Sequence, residues 1–140
     1  MHVNFFFRYP AFAYGFLIWI FLTTLVFLLL DSSSSVCIRD CFIDVGDDLI
    51  SIKSGWDEYG ISYGWPSSDI IIQNIIGSTR SSSGIAIGSE MSGGISNVYV
   101  NNMVVTHAYA GVRIKTARGR GGYVKDVYIS DIIISNAKVA

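Results

Sequence analysis

Cysteine is nearly missing from this chain of 140 residues; there are two, Cys37 and Cys41. Four positions apart, they match neither the spacing of a redox pair nor a zinc centre, which needs more ligands. They read as small packing residues. No Asn-x-Ser/Thr acceptor for glycosylation occurs. Over residues 31–140 no stretch repeats its apolar residues with a 3.6-residue period, which argues against a helical domain. Charge is scarce too, at 15% of residues, and the formal net charge of -1 identifies no partner. Acidic residues are absent from Arg113 to Lys125, where five basic ones occur: Arg113, Lys115, Arg118, Arg120 and Lys125. Such a patch is either a solvated loop or the seat of an anion.

What is abundant is apolar, and it divides the chain at about residue 30. "AFAYGFLIWIFLTTLVFLLL", Ala11 to Leu30, is 20 residues without a charge. That length spans a bilayer as a helix. His2 and Arg8 precede it as positive charge precedes a signal sequence, but no small-residue cleavage site appears before Asp31. Residues 1–30 are therefore read as a hydrophobic helix, either an uncleaved signal anchor with membrane contact through residues 11–30 or sequence foreign to the domain behind it. Residues 31–140 are rich in Ile, Val, Gly, Ser and Asn, an all-β composition.

Four segments of that second part align without gaps: "SVCIRDCFI" from Ser35, "DIIIQNIIG" from Asp69, "NVYVNNMVV" from Asn97 and "DVYISDIII" from Asp126. Each carries Asp or Asn at its sixth position, namely Asp40, Asn74, Asn102 and Asp131. These are the non-glycine residues that best tolerate a left-handed turn. A second strand follows the first three at a near-constant offset: "DDLISIK", "SGIAIGS" and "AGVRIKT". Strand, left-handed turn, strand and loop, repeated about every 28 residues, predict a solenoid. With β-branched strands, the expected architecture is a right-handed parallel β-helix of about four coils, its Asp/Asn column stacked as a ladder. In the second strands Ile50, Ile52, Ile85, Ile87, Val112 and Ile114 should point inward. Ser51, Lys53, Ala86, Gly88, Arg113 and Lys115 should then point outward. Arg113 and Lys115 would lie two coils, roughly 10 Å, from the adjacent carboxylates Asp47 and Asp48, across a groove floored by small residues.

Two adjacent carboxylates repel, which raises one pKa and keeps one partner protonated. Glycoside hydrolysis uses such a pair, one as proton donor and the other to activate water. Gly46 permits the bend that would bring both to one face. "GDDLISIKSG", "SGIAIGSEMSGGI" and "GVRIKTARGRGG", in this order and spacing, resemble glycoside hydrolase family 28, the polygalacturonases, over Asp31 to about Lys138. The likeness is greatest to the exo-acting plant and bacterial branch. The resemblance implies inverting hydrolysis of the α-1,4-galacturonosyl bonds of pectin. It makes Asp47 the general acid and Asp48 a water-activating base, with Arg113 and Lys115 holding the galacturonate carboxylate. It implies no cofactor, no metal and no nucleic acid, an acidic polysaccharide as partner, and an extracellular or cell-wall location. The family's upstream "NTD" aspartate has no counterpart here, and Ser83 stands at the family's histidine. The chain is therefore expected to be an incomplete fragment with weak or no activity, or else a non-catalytic β-helix that binds acidic polysaccharide. Glu90 and His107 read as loop residues, whereas Tyr63 and Trp65 could stack on sugars.

Overall fold

The computed structural model describes residues 28–139. Eight strands and one short helix follow one another: β1 (Leu28–Asp31), β2 (Ser34–Val45), β3 (Ile50–Lys53), α1 (Asp57–Tyr63), β4 (Ser67–Thr79), β5 (Ser83–Ile87), β6 (Ile95–Thr106), β7 (Ala110–Ile114) and β8 (Val124–Ser135). Odd and even strands sort into two parallel four-stranded sheets, in the orders β1-β3-β5-β7 and β2-β4-β6-β8. Each coil contributes one short and one long strand. This is the stacked-coil β architecture that the repeat predicts.

The long strands are bent, and the bend comes from one residue type. Asp40, Asn74, Asn102 and Asp131 all have φ between 54° and 56°. Before this corner Ile70 and Ile72 point inward; after it the inward phase shifts to Ile75 and Gly77. The ladder is hydrogen-bonded from coil to coil. Asn74 Nδ2 donates to Asp40 Oδ1 at 2.8 Å, and Asn102 Nδ2 donates to Asn74 Oδ1 at 2.8 Å. A second left-handed column, which the repeat alone did not single out, runs through Ser35, Asp69, Asn97 and Asp126. There Asn97 Nδ2 donates to Asp69 Oδ1 at 3.0 Å.

Inside, like stacks on like. Val36, Ile70, Val98 and Val127 form one column and Cys41, Ile75, Met103 and Ile132 another. Ile50 aligns with Ile85 and Val112, and Ile52 with Ile87 and Ile114. Each fully buried isoleucine contributes about 1.5–3 kcal/mol. Cys41 is buried in its column and Cys37 is half-buried, both as free thiols. Ile114 points inward by register but is exposed, because β7 is the edge of its sheet among the described residues.

Two expectations change. The boundary at residue 30 falls inside β1: Leu28 pairs with Ile50, Leu30 with Ile52 and Asp31 with Lys53. Leu28 and Leu30 are buried, so the end of the apolar run is a rung of the sheet and not helix. A continuous apolar run hides the alternation that would mark a strand. The remainder of the expected helix and its membrane contact lie outside the described residues. No helix among the described residues is long and apolar enough to cross a membrane. Residues 31–140 also do contain a helix. The coil from Val36 to Ile70 takes 34 residues, against 28 from Ile70 to Val98, and the extra six lie in the α1 insertion.

The corner column makes a test. Asn74→Ala should destabilise the chain by about 1–3 kcal/mol in urea unfolding, because alanine at φ 54° is strained and the ladder is cut. Asn74→Gly should cost clearly less, since glycine adopts that φ freely. Equal losses would show that the ladder hydrogen bonds, and not the backbone conformation, matter.

Candidate functional site

The carboxylate pair sits where the chain turns into β3, and its two members are held differently. Asp47 is half-buried. Its Oδ1 accepts from the Asp48 N–H at 2.8 Å, and its carbonyl accepts from Thr79 Oγ1 at 2.7 Å. Asp48 is buried, at 3% exposure. Its Oδ1 accepts from Ser82 Oγ at 2.6 Å and from the Ser83 N–H at 3.0 Å. Its Oδ2 accepts from Ser51 Oγ at 3.1 Å and from Lys115 Nζ at 2.5 Å. The Ser51 bond fixes the direction: Asp48 points to the outward face of β3, with Ser51 and away from Ile50 and Ile52.

Lys115 follows β7, two strands from β3, and lies in the column of Gly88 and Lys53. To reach Asp48 its side chain crosses the outward face of β5. Ala86 and Gly88, expected to floor an open groove, are buried, and so is Ser51. The Lys115–Asp48 bridge helps to roof that stretch. Arg113 shares the column of Ser51 and Ala86, is exposed, and lies over the Tyr109 ring at 5.3 Å. The structure thus joins Asp48 to Lys115, with Asp47 next to Asp48 and Arg113 on the same outward face.

Burial alone would push the Asp48 carboxyl up. Hydrogen bonds from Lys115, Ser82 and the Ser83 N–H outweigh it and hold Asp48 below the usual carboxylate range. Repulsion between neighbours, the expected source of a raised pKa, therefore does not govern Asp48. A nearby cation and two further hydrogen-bond donors do.

Several neighbours were not read from the sequence as site residues. Ser82 and Ser83 were missed as hydrogen-bond donors, although the register of Ile50 with Ile85 puts Ser83 one coil above Asp48. Lys53 Nζ meets Glu90 at 2.7 Å, so Glu90 is more than a loop residue. Burial would raise the Glu90 carboxyl, and Lys53 draws it below its ordinary value. His107 lies elsewhere, in an open recess with Asp44, Ser78 and Arg80. No group of three His, Cys, Asp or Glu among the described residues could hold a metal ion.

This geometry can be set beside known proteins. A model of the Glycosyl hydrolases family 28 matches residues 28–140. The chain is 46% identical over 110 residues to a probable polygalacturonase of Vitis vinifera, covering 79% of this chain and 22% of that protein. It is 31% identical over 108 residues to exopolygalacturonase rpg15 of Rhizopus delemar, covering 74% and 25%. A crystal structure of a hyperthermoactive exopolygalacturonase from Thermotoga maritima superposes with a TM-score of 0.67 and 35% identity, over 76% of this chain and 27% of that one. The chain spans about a quarter of the length of these relatives.

The Asp48–Lys115 pair predicts a pH dependence. A carboxylate whose pKa is lower folded than unfolded gives stability that is complete above the unfolded value, near 4, and is lost as pH falls through the folded value. Asp48→Asn should be less stable at pH 7 by on the order of 2 kcal/mol, between the limits for surface and buried pairs. That gap should narrow as melting is followed from pH 4 to pH 2. A gap constant across this range would show that ionised Asp48 adds nothing to stability.

Proposed function

Because the chain belongs to glycosyl hydrolases family 28, we propose that it carries the carboxylate pair and acid-sugar subsite of a pectin-degrading hydrolase that cleaves α-1,4-galacturonosyl bonds with inversion. The observation that carries this reading is Asp48, buried, ionised and set against a lysine on the outward face. An ionised carboxylate accepts a proton and cannot give one, so Asp48 is the base that takes a proton from the attacking water. Asp47, half-buried and next to it, is then the general acid that protonates the leaving oxygen. Arg113 and Lys115 hold the uronate: the guanidinium can grip a carboxylate with two parallel hydrogen bonds, and the ammonium acts as a point charge. Lys115 is committed to Asp48. An arriving uronate carboxylate competes for that ammonium, and Lys115 turning toward it opens Asp48 to water. The coil is taken as right-handed, the hand of nearly all crossovers between parallel strands. An extracellular or cell-wall location accords with a pectic substrate.

One observation favours a second reading. Four protein donors already occupy the Asp48 oxygens. If Lys115 does not move, Asp48 cannot serve a water, and this fragment only binds acidic polysaccharide.

Both readings require binding of an acidic sugar, and equilibrium dialysis measures it. Trigalacturonate should bind and a neutral trisaccharide should not. Arg113→Gln and Lys115→Gln should each weaken binding by about tenfold or more. Equal binding of the neutral sugar would overturn the assignment. Release of reducing ends from polygalacturonate should be weak or absent for this chain, and Asp47→Asn should lower any measured rate by at least about 10²-fold. A rate unchanged by Asp47→Asn would remove Asp47 from the acid role.

A further inference from the structure

α1 interrupts the repeat and presents a stripe of aromatic rings. Trp56, Tyr59 and Tyr63 are 54%, 77% and 69% exposed. At about 100° per residue Tyr59 and Tyr63 fall within about 40° of one another around the helix, and Trp56 is the extended residue just before it. Trp65 extends the stripe; its ring stacks on Tyr63 at 5.6 Å and it is 48% exposed. Four large rings left in solvent side by side are unusual unless something covers them.

The first ring is fixed in place. Trp56 Nε1 donates to Asp57 Oδ2 at 2.7 Å, and Asp57 Oδ1 accepts from Arg120 Nη1 at 2.7 Å. The Arg120 guanidinium lies 4.6 Å from the centre of the Trp56 ring. One side of the indole is thus occupied, and the ring still has more than half its surface open. A ring held by both a hydrogen bond and a cation loses little freedom when it is covered, which favours binding.

The surroundings indicate what covers it. Gly60, on the buried side of α1, packs so closely on Gly55 and Ser92 that a Cβ would lie 2.6 Å from the Gly55 carbonyl carbon. The basic loop between β7 and β8 also lies against α1: Gly121 meets Ile61, and Arg120 reaches Asp57. That loop carries Lys115, Arg118 and Arg120 and no acidic residue. Glu58 is about 100° or more around the helix from Tyr59 and Tyr63. α1 begins four residues after Lys53, at the same end of the outward face as Lys115. Flat apolar rings beside a cationic loop, continuous with a carboxylate-binding face, suit sugar rings that carry carboxylates.

We infer that Trp56, Tyr59, Tyr63 and Trp65 form an additional subsite that stacks the rings of an acidic oligosaccharide extending beyond the Asp48–Lys115 site. This rests on the proposed acid-sugar binding, and the test separates the two. Binding of trigalacturonate and of a galacturonate octamer to the full chain is measured by calorimetry for three proteins: wild type, Tyr59→Leu/Tyr63→Leu, and Arg113→Gln/Lys115→Gln. The subsite predicts that the leucine pair weakens the octamer by about tenfold and leaves the trimer unchanged. The Arg/Lys variant should weaken both. Tyr59→Phe/Tyr63→Phe, which keeps the rings, should restore octamer affinity and shows that loss in the leucine variant is not misfolding. Octamer affinity unchanged in the leucine pair, while the Arg/Lys variant still weakens it, would overturn the subsite and leave the proposed function standing. Failure of wild type to bind either sugar would overturn both. Equal affinity for a neutral hexasaccharide would overturn the assignment to acidic sugars.

Discussion

The corner residue in the left-handed region is the constraint on which this fold depends. A parallel coil can stack only if each turn bends at the same place, and here each long strand carries its left-handed residues, with φ near 55°, at the same two positions. Asp and Asn reach that conformation at little cost, and their side chains can then bond to the next coil. The inward phase shifts at the corner, so apolar residues on both sides of it face one core. The columns of Ile, Val and Met follow from that registration. A one-residue slip in the pairing register of one coil would turn its apolar set outward.

The site is a consequence of the same stacking. Residues far apart in sequence share a face because equivalent positions fall in line. Asp48 and Lys115 are 67 residues apart and meet at 2.5 Å across two strand spacings. Serines at the mouth of β5 complete the cage around the buried carboxylate. Burial opposes its charge, and the lysine and the hydrogen bonds restore it. On the proposed function, this balance makes Asp48 the acceptor of a proton and leaves the donor role to Asp47.

Most of the fold was legible because it repeats. The Asp/Asn column and the alternation of the second strands were enough to place Ile50, Ile85 and Val112 in one column. Two features were not legible, for physical reasons. The Leu28–Leu30 rung is apolar on both faces and continues a longer apolar run, so nothing in its pattern separates strand from helix. The helix Asp57–Tyr63 spans two turns, too short to show a period, and it is fixed by Gly60 packing on a distant loop. In the site, Asp48 and Lys115 could be brought to one face by register. The closure of the groove could not, because it depends on where a flexible lysine side chain lies. Ser82 and Ser83 were within reach of the same register argument, but their chemistry is too common to draw notice.

The central claim is that Lys115 guards Asp48 and yields to a uronate. Carbon-13 NMR of the Asp48 carboxyl follows this directly. In the free chain its titration midpoint should lie below the usual carboxylate value. On saturation with trigalacturonate the midpoint should rise, because the ammonium that depresses it has turned to the sugar. A midpoint that stays in place while the ligand is demonstrably bound would mean that Lys115 never leaves Asp48, and would contradict the account.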